Sequence, residues 1–415
     1  MKIKYNSKNV FKLRYIKIFL LIIVLLPIFY FGVIKLKEYK FFVKNINAPS
    51  QLSAPKSELD LTNKDSSVNI SDISTEIKIV AMGDMIPHDT IVNNAKDLND
   101  YNFTKYFQYI RPMYSSADIV FCNQEGLSAG EAFGISGYPS FNAPKQFSRD
   151  LNKAGCNLIN LANNHMGDKT VSAINTTIDV WNELKPLNFA GANKSQIDQN
   201  SVKYFNIKKV KFAFLAFADF NNNKNTPSYA VNIYHDKSLF DKLLKEARQN
   251  AEVVIVSMHW GTENSNSLNT DQKQQIEILA SNNVDIVFGT GPHVLQKYES
   301  INRQDGKSMH VWYSLGNMLS SQLDIKELIG GIASLKIIKK NNEILIDSPT
   351  FLPTYMHYEW TLDDKLNNRL SARKNVMIYQ LKDAQDQLSR SLFNTTVAEQ
   401  MNYIKEILGI KVDII

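Results

Sequence analysis

Cysteine is nearly absent: among 415 residues only Cys122 and Cys156 carry a thiol, and they do not form a C-x-x-C pair. That excludes a thiolate metal site and a disulfide-dense scaffold. Both cysteines flank apolar runs, Ile119-Val120-Phe121 and Leu158-Ile159, so two buried thiols are expected rather than a disulfide. Proline (12) and glycine (17) are also few, and 44% of the residues are hydrophobic, which excludes a low-complexity or disordered chain. No internal repeat is present. The net charge of +6 traces to the N-terminal segment ending at Lys44, so the remainder is closer to neutral and no nucleic-acid binding is expected.

Long uncharged runs are lacking too, with one exception. Ile18 to Ile34 (IFLLIIVLLPIFYFGVI) carries no charge, and such a run just suffices to cross a hydrocarbon core of roughly 17–25 helical residues. Lys2, Lys4, Lys8, Lys12, Arg14 and Lys17 precede it, and Lys35, Lys37, Lys40 and Lys44 follow it, a modest positive-inside signal. A cleaved signal peptide is the competing reading. The run exceeds a usual signal core and no A-x-A-like site follows promptly, so an uncleaved anchor is expected. The expected order is a cytoplasmic basic tail (1–15), a transmembrane anchor (16–35), an extracytoplasmic linker (36–75), a main domain (76–360) and a C-terminal helical extension (361–415).

The main domain alternates short apolar runs with helix-compatible stretches. The runs are IKIVAMGD, ADIVFCNQEG, CNLINLANNH, FAFLAFAD, EVVIVSMHWG, VDIVFGTGPH and HVWYSLGN. Nearly continuous apolar runs suit strands buried on both faces. Helices are expected over Thr170 to Leu184, Lys237 to Gln249, and Asp271 to Asn282. GIASLKIIKK and EILIDSPTFL, separated by Asn341-Asn342, read as a hairpin. The fold class is therefore α/β, an α+β sandwich of layered β-sheets flanked by helices, preceded by one transmembrane helix.

The polar residues fall where chemistry would need them. In open α/β sheets, sites form at the carboxyl ends of strands. Those ends supply Asp84, Asn123 and Glu125, Asn163-Asn164-His165 with Asp168, His259 and Glu263, His293, and Asn317. Taken singly each has a plain reading: Asp84 as a turn cap, Asn163-Asn164 as a loop tolerating left-handed backbone, His259 as a core histidine, His293 as a turn residue. Jointly they mix hard oxygen donors with imidazole, a set suited to Zn²⁺, Mn²⁺ or Fe²⁺. His88, His235, His310 and His357 lack the strand-end context and are expected to be structural.

These residues resemble a known family. GDM, ADIVFCNQEG, NLANNHMGD, VIVSMHWGTE, GPHVLQ and YSLGNM occur in order as in the CapA family of capsule and poly-γ-glutamate synthesis proteins, over roughly Ile77 to Ser348. That family's fold resembles calcineurin-like metallophosphoesterases, and its typical members are membrane-anchored, extracytoplasmic subunits of anionic capsule polymer assembly. The resemblance implies metal ligands at Asp84, Glu125, Asn164, His259 and His293. It implies His165 as proton donor to the leaving group, oriented by Asp168, and Asn123, Asn163, Glu263 and Asn317 around the substrate. The chain departs from the pattern at Gly291, where the family often carries the first histidine of G-x-H-P-H, and after Asp84, where the D-x-H of true phosphoesterases is missing. One divalent ion rather than two is therefore expected.

Two functions follow as expectations. The first is a metal-dependent hydrolase of phosphodiester or amide bonds, partnered by an anionic cell-surface polymer or its precursor and by membrane synthase or export subunits. The second is a non-catalytic polymer-binding or scaffolding subunit of a capsule synthase. A purely structural or adhesive domain explains neither the strand-end carboxylates nor the histidines.

Overall fold

The computed structural model describes residues 74–98 and 100–415. The predicted tail and anchor, and the linker up to residue 73, lie outside the described residues. Among those described, no helix is long and apolar enough to cross a membrane.

The described residues begin in the middle of a sheet. Strand β1 (Ser74–Met85) pairs in parallel with β2 (Ile119–Gln124), which pairs with β3 (Leu158–Asn160) and then β4 (Asn188–Ala190). Between them run α1 (Asp89–Ala95), α2 (Gln146–Ala154) and α3 (Val171–Leu184). The chain then builds a second, six-stranded sheet. It comprises β5 (Lys203–Ile207), β6 (Val210–Ala218), β7 (Val253–His259), β8 (Ile286–Thr290), β9 (Tyr298–Asn302) and β10 (Ser308–Trp312), in the order β9-β10-β8-β7-β6-β5. Helices α4 (Lys237–Asn250) and α5 (Thr270–Ser281) belong to this half.

It finally returns to the first sheet through β11 (Asn317–Leu319), β12 (Ile329–Lys340), β13 (Glu343–Glu359), β14 (Lys374–Gln380) and β15 (Asp413–Ile414). The first sheet thus has nine strands along the path β14-β13-β12-β1-β2-β3-β4, with β11 beside β1 and β15 beside β13.

Alternation along the second sheet explains its continuous apolar runs. Phe212, Phe214, Ala216 and Ala218 of β6, Val253 and Ile255 of β7, and Ile286 and Phe288 of β8 join the core shared with the first sheet. The intervening Ala213, Leu215, Phe217, Val254, Val256, Met258 and Val287 join a separate core with Leu243 and Leu244 of α4 and Leu279 of α5. Successive side chains leave a strand on opposite faces, so a strand covered on both sides has no polar position until its end. Phe121 of β2 stacks on Phe288 at 4.9 Å and meets Phe214 edge-on at 6.2 Å across the inter-sheet layer. Phe147 and Leu151 of α2 and Ile174, Ile178 and Trp181 of α3 enter the core of the first sheet. The layers are helix, sheet, sheet, helix. The three expected helices form within a few residues of the predicted spans, α5 beginning in an Asn269/Gln272 capping box.

Two expectations are corrected. Cys122 and Cys156 form a disulfide, with Cα atoms 5.8 Å apart. Neighbouring parallel strands bring them together: Cys122 lies opposite Ile159, and Cys156 immediately precedes β3. The C-terminal region is not a helical appendage beginning at 361. KNVMIYQ forms β14 against β13, and Asp413–Ile414 forms β15, so the domain runs to the C-terminal residues. The helix Val397–Leu408 is the longest helical part of that region.

The disulfide closes a 34-residue separation. Replacing both cysteines by serine is expected to lower the unfolding free energy by about 3–4 kcal/mol, read from urea denaturation of both proteins without reductant.

Candidate active site

The carboxyl ends of β1, β2, β7 and β8 converge. β1 runs out through Gly83, where a Cβ would lie 1.8 Å from the Gly316 carbonyl oxygen, so only glycine admits the strand beside the β11 turn. Asp84 follows, fully buried. Its Oδ1 accepts the Asn123 amide at 2.7 Å, and its Oδ2 accepts the Gly291 N–H at 3.2 Å and His293 Nδ1 at 3.0 Å. On the other side of His293, Nε2 lies 3.6 Å from Glu125 Oε1. Asp84, Glu125 and His293 each offer a ligand atom, all within 4.8 Å of one another.

The two buried carboxylates and the imidazole set one another's protonation. Burial works to raise the Asp84 pKa, but the bond and charge of His293 outweigh it and hold the carboxyl below its ordinary value. Burial, aided by the charge of Asp84, pushes Glu125 up to about 7. Burial alone would lower His293; Glu125 and Asp84 reverse that and raise it. Glu125 Oε2 is buried with no hydrogen-bond partner. A buried carboxylate oxygen without a donor is unusual in a folded protein and fits an ion. The oxygen–oxygen–imidazole donor set suits one divalent transition metal.

His259 and Asn164 form a second pair beside the trio. His259 Nε2 faces Asn164 Oδ1 at 3.1 Å, while Nδ1 meets Thr290 Oγ1 at 3.0 Å. Burial holds His259 at about 3, hence neutral. The two residues line a cavity of about 330 Å³ with Asp219, Phe220, Trp260, Glu263 and Gly291. Neighbouring His165 places Nδ1 2.7 Å from Asp168 Oδ2. Burial would depress His165, but this bond and the charges of Glu125 and Asp168 raise it above an ordinary imidazole. Asp168 also accepts the Phe141 N–H at 2.7 Å, which fixes the carboxylate, and Phe141 meets the His165 ring edge-on at 4.7 Å.

The structure therefore brings together Asp84, Glu125 and His293, sets His259 and Asn164 beside them, and pairs His165 with Asp168. Three expected substrate residues are hydrogen-bonded within the protein and do not line the cavity. Asn123 is buried, donating to Asp84 and accepting from Asn160 at 2.9 Å. Asn163 is buried, accepting the Gly126 N–H and donating to the Gln124 carbonyl, which holds the loop after β3 against the loop after β2. Asn317 is buried, donating to Gln322 and to the Glu327 carbonyl. Short amide side chains at strand ends satisfy buried carboxylates and loop backbone, and these three do so. Glu263, by contrast, is exposed on the cavity wall.

His88, expected to be structural, stands near the site: His293 and His165 are among the groups that set its charge. Its distance from Asp84, four residues along the same strand-end loop, was the available signal. Asn222, in the loop after β6, also reaches the site, its Nδ2 3.2 Å from His165 Nδ1 and its N–H on the Asn164 carbonyl at 2.9 Å. Asp219, His235 and Asp271 form another carboxylate–imidazole group, but they are satisfied by His235 Nε2 on Asp219 at 2.7 Å and by Tyr234 and Gln275 on Asp271.

Two facing sheets with a carboxylate–imidazole cluster at their strand ends define an α/β protein with a candidate metal site. The chain belongs to the bacterial capsule synthesis protein family PGA_cap, whose family model matches residues 78–322. It is 29% identical over 224 residues to the PGA biosynthesis protein CapA of Bacillus subtilis strain 168, covering 52% of this chain and 57% of that protein. It is 27% identical over 237 residues to the capsule biosynthesis protein CapA of Bacillus anthracis, covering 54% and 56%. The match thus spans little more than half the length of these relatives. Among solved structures, a phosphatase from Mycoplasma pneumoniae is similar at TM-score 0.41 and 13% identity, covering 68% of this chain and 94% of that one. The calcineurin-like phosphoesterase YfkN from Bacillus subtilis is similar at 0.37 and 15%, covering 68% and 91%.

Gly291 has φ +104°, and a Cβ there would lie 3.2 Å from His259 Nε2 and 3.0 Å from the Trp260 carbonyl oxygen. Gly306 has φ +79° with nothing within 4 Å of its Cβ position. Gly291→Ala is expected to cost about 2–3 kcal/mol and Gly306→Ala about 1 kcal/mol, the difference measuring the crowding at the site in paired denaturation curves.

Proposed function

We propose that the chain is a membrane-tethered, extracytoplasmic metal-dependent hydrolase acting on a phosphodiester or amide bond of an anionic capsule polymer or its precursor. The observation that carries this reading is the buried Asp84–Glu125–His293 cluster with an unpartnered carboxylate oxygen. The names of the Bacillus relatives support the polymer, and the uncharged run Ile18 to Ile34 supports the tether. The Cys122–Cys156 disulfide supports an oxidising compartment outside the cytoplasm. Synthase or export subunits in the membrane are the proposed partners.

Asp84, Glu125 and His293 would hold the ion, with His259 and Asn164 at its side. A divalent ion there would polarise the substrate oxygen and acidify water. The protein's own groups do the rest. Asp168 accepts a hydrogen bond from the Nδ1–H of His165, which leaves Nε2–H to hand its proton to the departing oxygen. The raised His165 pKa keeps that proton available near neutral pH. Asn164 presents a neutral amide beside His259, so anionic substrate is not repelled by a further carboxylate at this point.

A second reading, a non-catalytic polymer-binding subunit of the synthase, is favoured by Gly291, which brings a backbone N–H to Asp84 where the family often has an imidazole. Elemental analysis separates the two. The hydrolase reading expects near-stoichiometric Zn, Mn or Fe in the full-length protein and its loss in His293→Ala. In metal-loaded protein, His165→Ala is expected to keep the metal while kcat on a chromogenic phosphodiester or on polyglutamate falls about 10²-fold or more. Protein that takes up no metal after incubation with each ion would leave the binding-subunit reading standing.

A further inference from the structure

His88 is held in one protonation pattern, and the fold does not use its second nitrogen. It precedes α1 at the N-cap position, yet its side chain makes no capping bond. The ring is part-buried, and Nδ1 accepts the Ser321 N–H at 3.4 Å. A ring nitrogen that accepts an N–H carries no proton, so the proton resides on Nε2. Among the described residues, Nε2–H has no hydrogen-bond partner.

The ring also lies close to the site, one phenyl ring away from His165. It meets Phe141 edge-on at 5.3 Å, and Phe141 meets His165 edge-on at 4.7 Å, so one phenyl ring spaces the two imidazoles. Burial and the charges of His293, Arg373 and His165 hold His88 at about 3, and it stays uncharged at any physiological pH. The support beneath it comes from the C-terminal region. Arg373 is buried, donates to the Ser321 and Leu370 carbonyls, and lies over Tyr358 at 5.0 Å and Trp360 at 5.5 Å. Among the described residues it forms no ion pair. Arg373 thus holds the backbone at Ser321, the residue whose N–H sets the His88 tautomer.

We propose that His88 is a substrate-contacting residue whose Nε2–H, fixed in one tautomer by the Ser321 N–H, donates to an anionic oxygen of the substrate beside His165 and His293. The proposal rests on the hydrolase reading and names the chemistry of the bound group: a phosphate or carboxylate oxygen. An uncharged donor suits the place. It binds anionic oxygen without adding a positive charge that would repel a cation at Asp84, Glu125 and His293.

The test uses the full-length protein in detergent, loaded with Mn²⁺, and titrates inorganic phosphate calorimetrically. Wild type is expected to bind, and His293→Ala to lose binding. His88→Ala is expected to weaken the affinity about tenfold or more, the scale of a hydrogen bond to a charged group. His88→Gln, which retains an N–H donor, is expected to stay within about threefold of wild type. A merely structural role would lower both affinities alike. Phosphate binding lost in His293→Ala but unchanged in His88→Ala would overturn the role of His88 and leave the hydrolase reading intact. Phosphate binding unchanged in His293→Ala, or absent from wild type, would overturn the proposal that His88 grips an anionic oxygen at this site, while metal uptake by the wild type decides the hydrolase reading. A histidine-ring ¹H–¹⁵N spectrum placing the His88 proton on Nδ1 would overturn the fixed tautomer.

Discussion

The site depends on one buried carboxylate. Asp84 sits where the central strand of one sheet ends, and it accepts hydrogen bonds from that sheet (Asn123) and from the β8 loop of the other (Gly291 and His293). Burying a charge without partners is costly, whereas burying it with three donors, one of them an imidazole, is tolerated. The two sheets are therefore joined at this end by a polar contact whose geometry both must satisfy, while the aromatic layer of Phe121, Phe214 and Phe288 joins them further down without specifying register so tightly. Apolar contact brings the sheets together, and Asp84 sets how their loops meet.

Much of this was legible from the residues. Strands covered on both faces leave nearly unbroken apolar runs, so β1, β2, β6, β7 and β8 declared themselves, and their polar terminations marked the end at which a site would form. Less legible was what each polar termination does. Asn123, Asn163 and Asn317 have the same residue type and strand-end position as Asn164, yet only Asn164 borders the cavity. A strand end needs amides both to bind ligands and to hold its own loops, and spacing does not distinguish these needs. His88 escaped because Pro87 ends the apolar pattern before it.

The remaining misreadings have one cause. Cys122 and Cys156 looked like small apolar residues because each belongs to a core run; only the lateral pairing of β2 with β3 makes them neighbours. β14 was hidden because a strand at the sheet's edge carries a weaker apolar pattern than an interior one, and KNVMIYQ reads equally well as part of a polar helix. Lateral relations between distant segments leave little trace in local periodicity.

One of those lateral relations constrains the order of events in the life of the chain. β1 pairs with β12 from Ser74 opposite Lys340 to Met82 opposite Ile332, so the first strand of the domain waits for one made some 250 residues later. Asp84 cannot be enclosed until Gly316 and His293 exist, and the support under His88 arrives later still with Arg373. A chain halted partway through synthesis has strands but no assembled cluster. The buried carboxylate–imidazole arrangement is acquired only by the finished molecule.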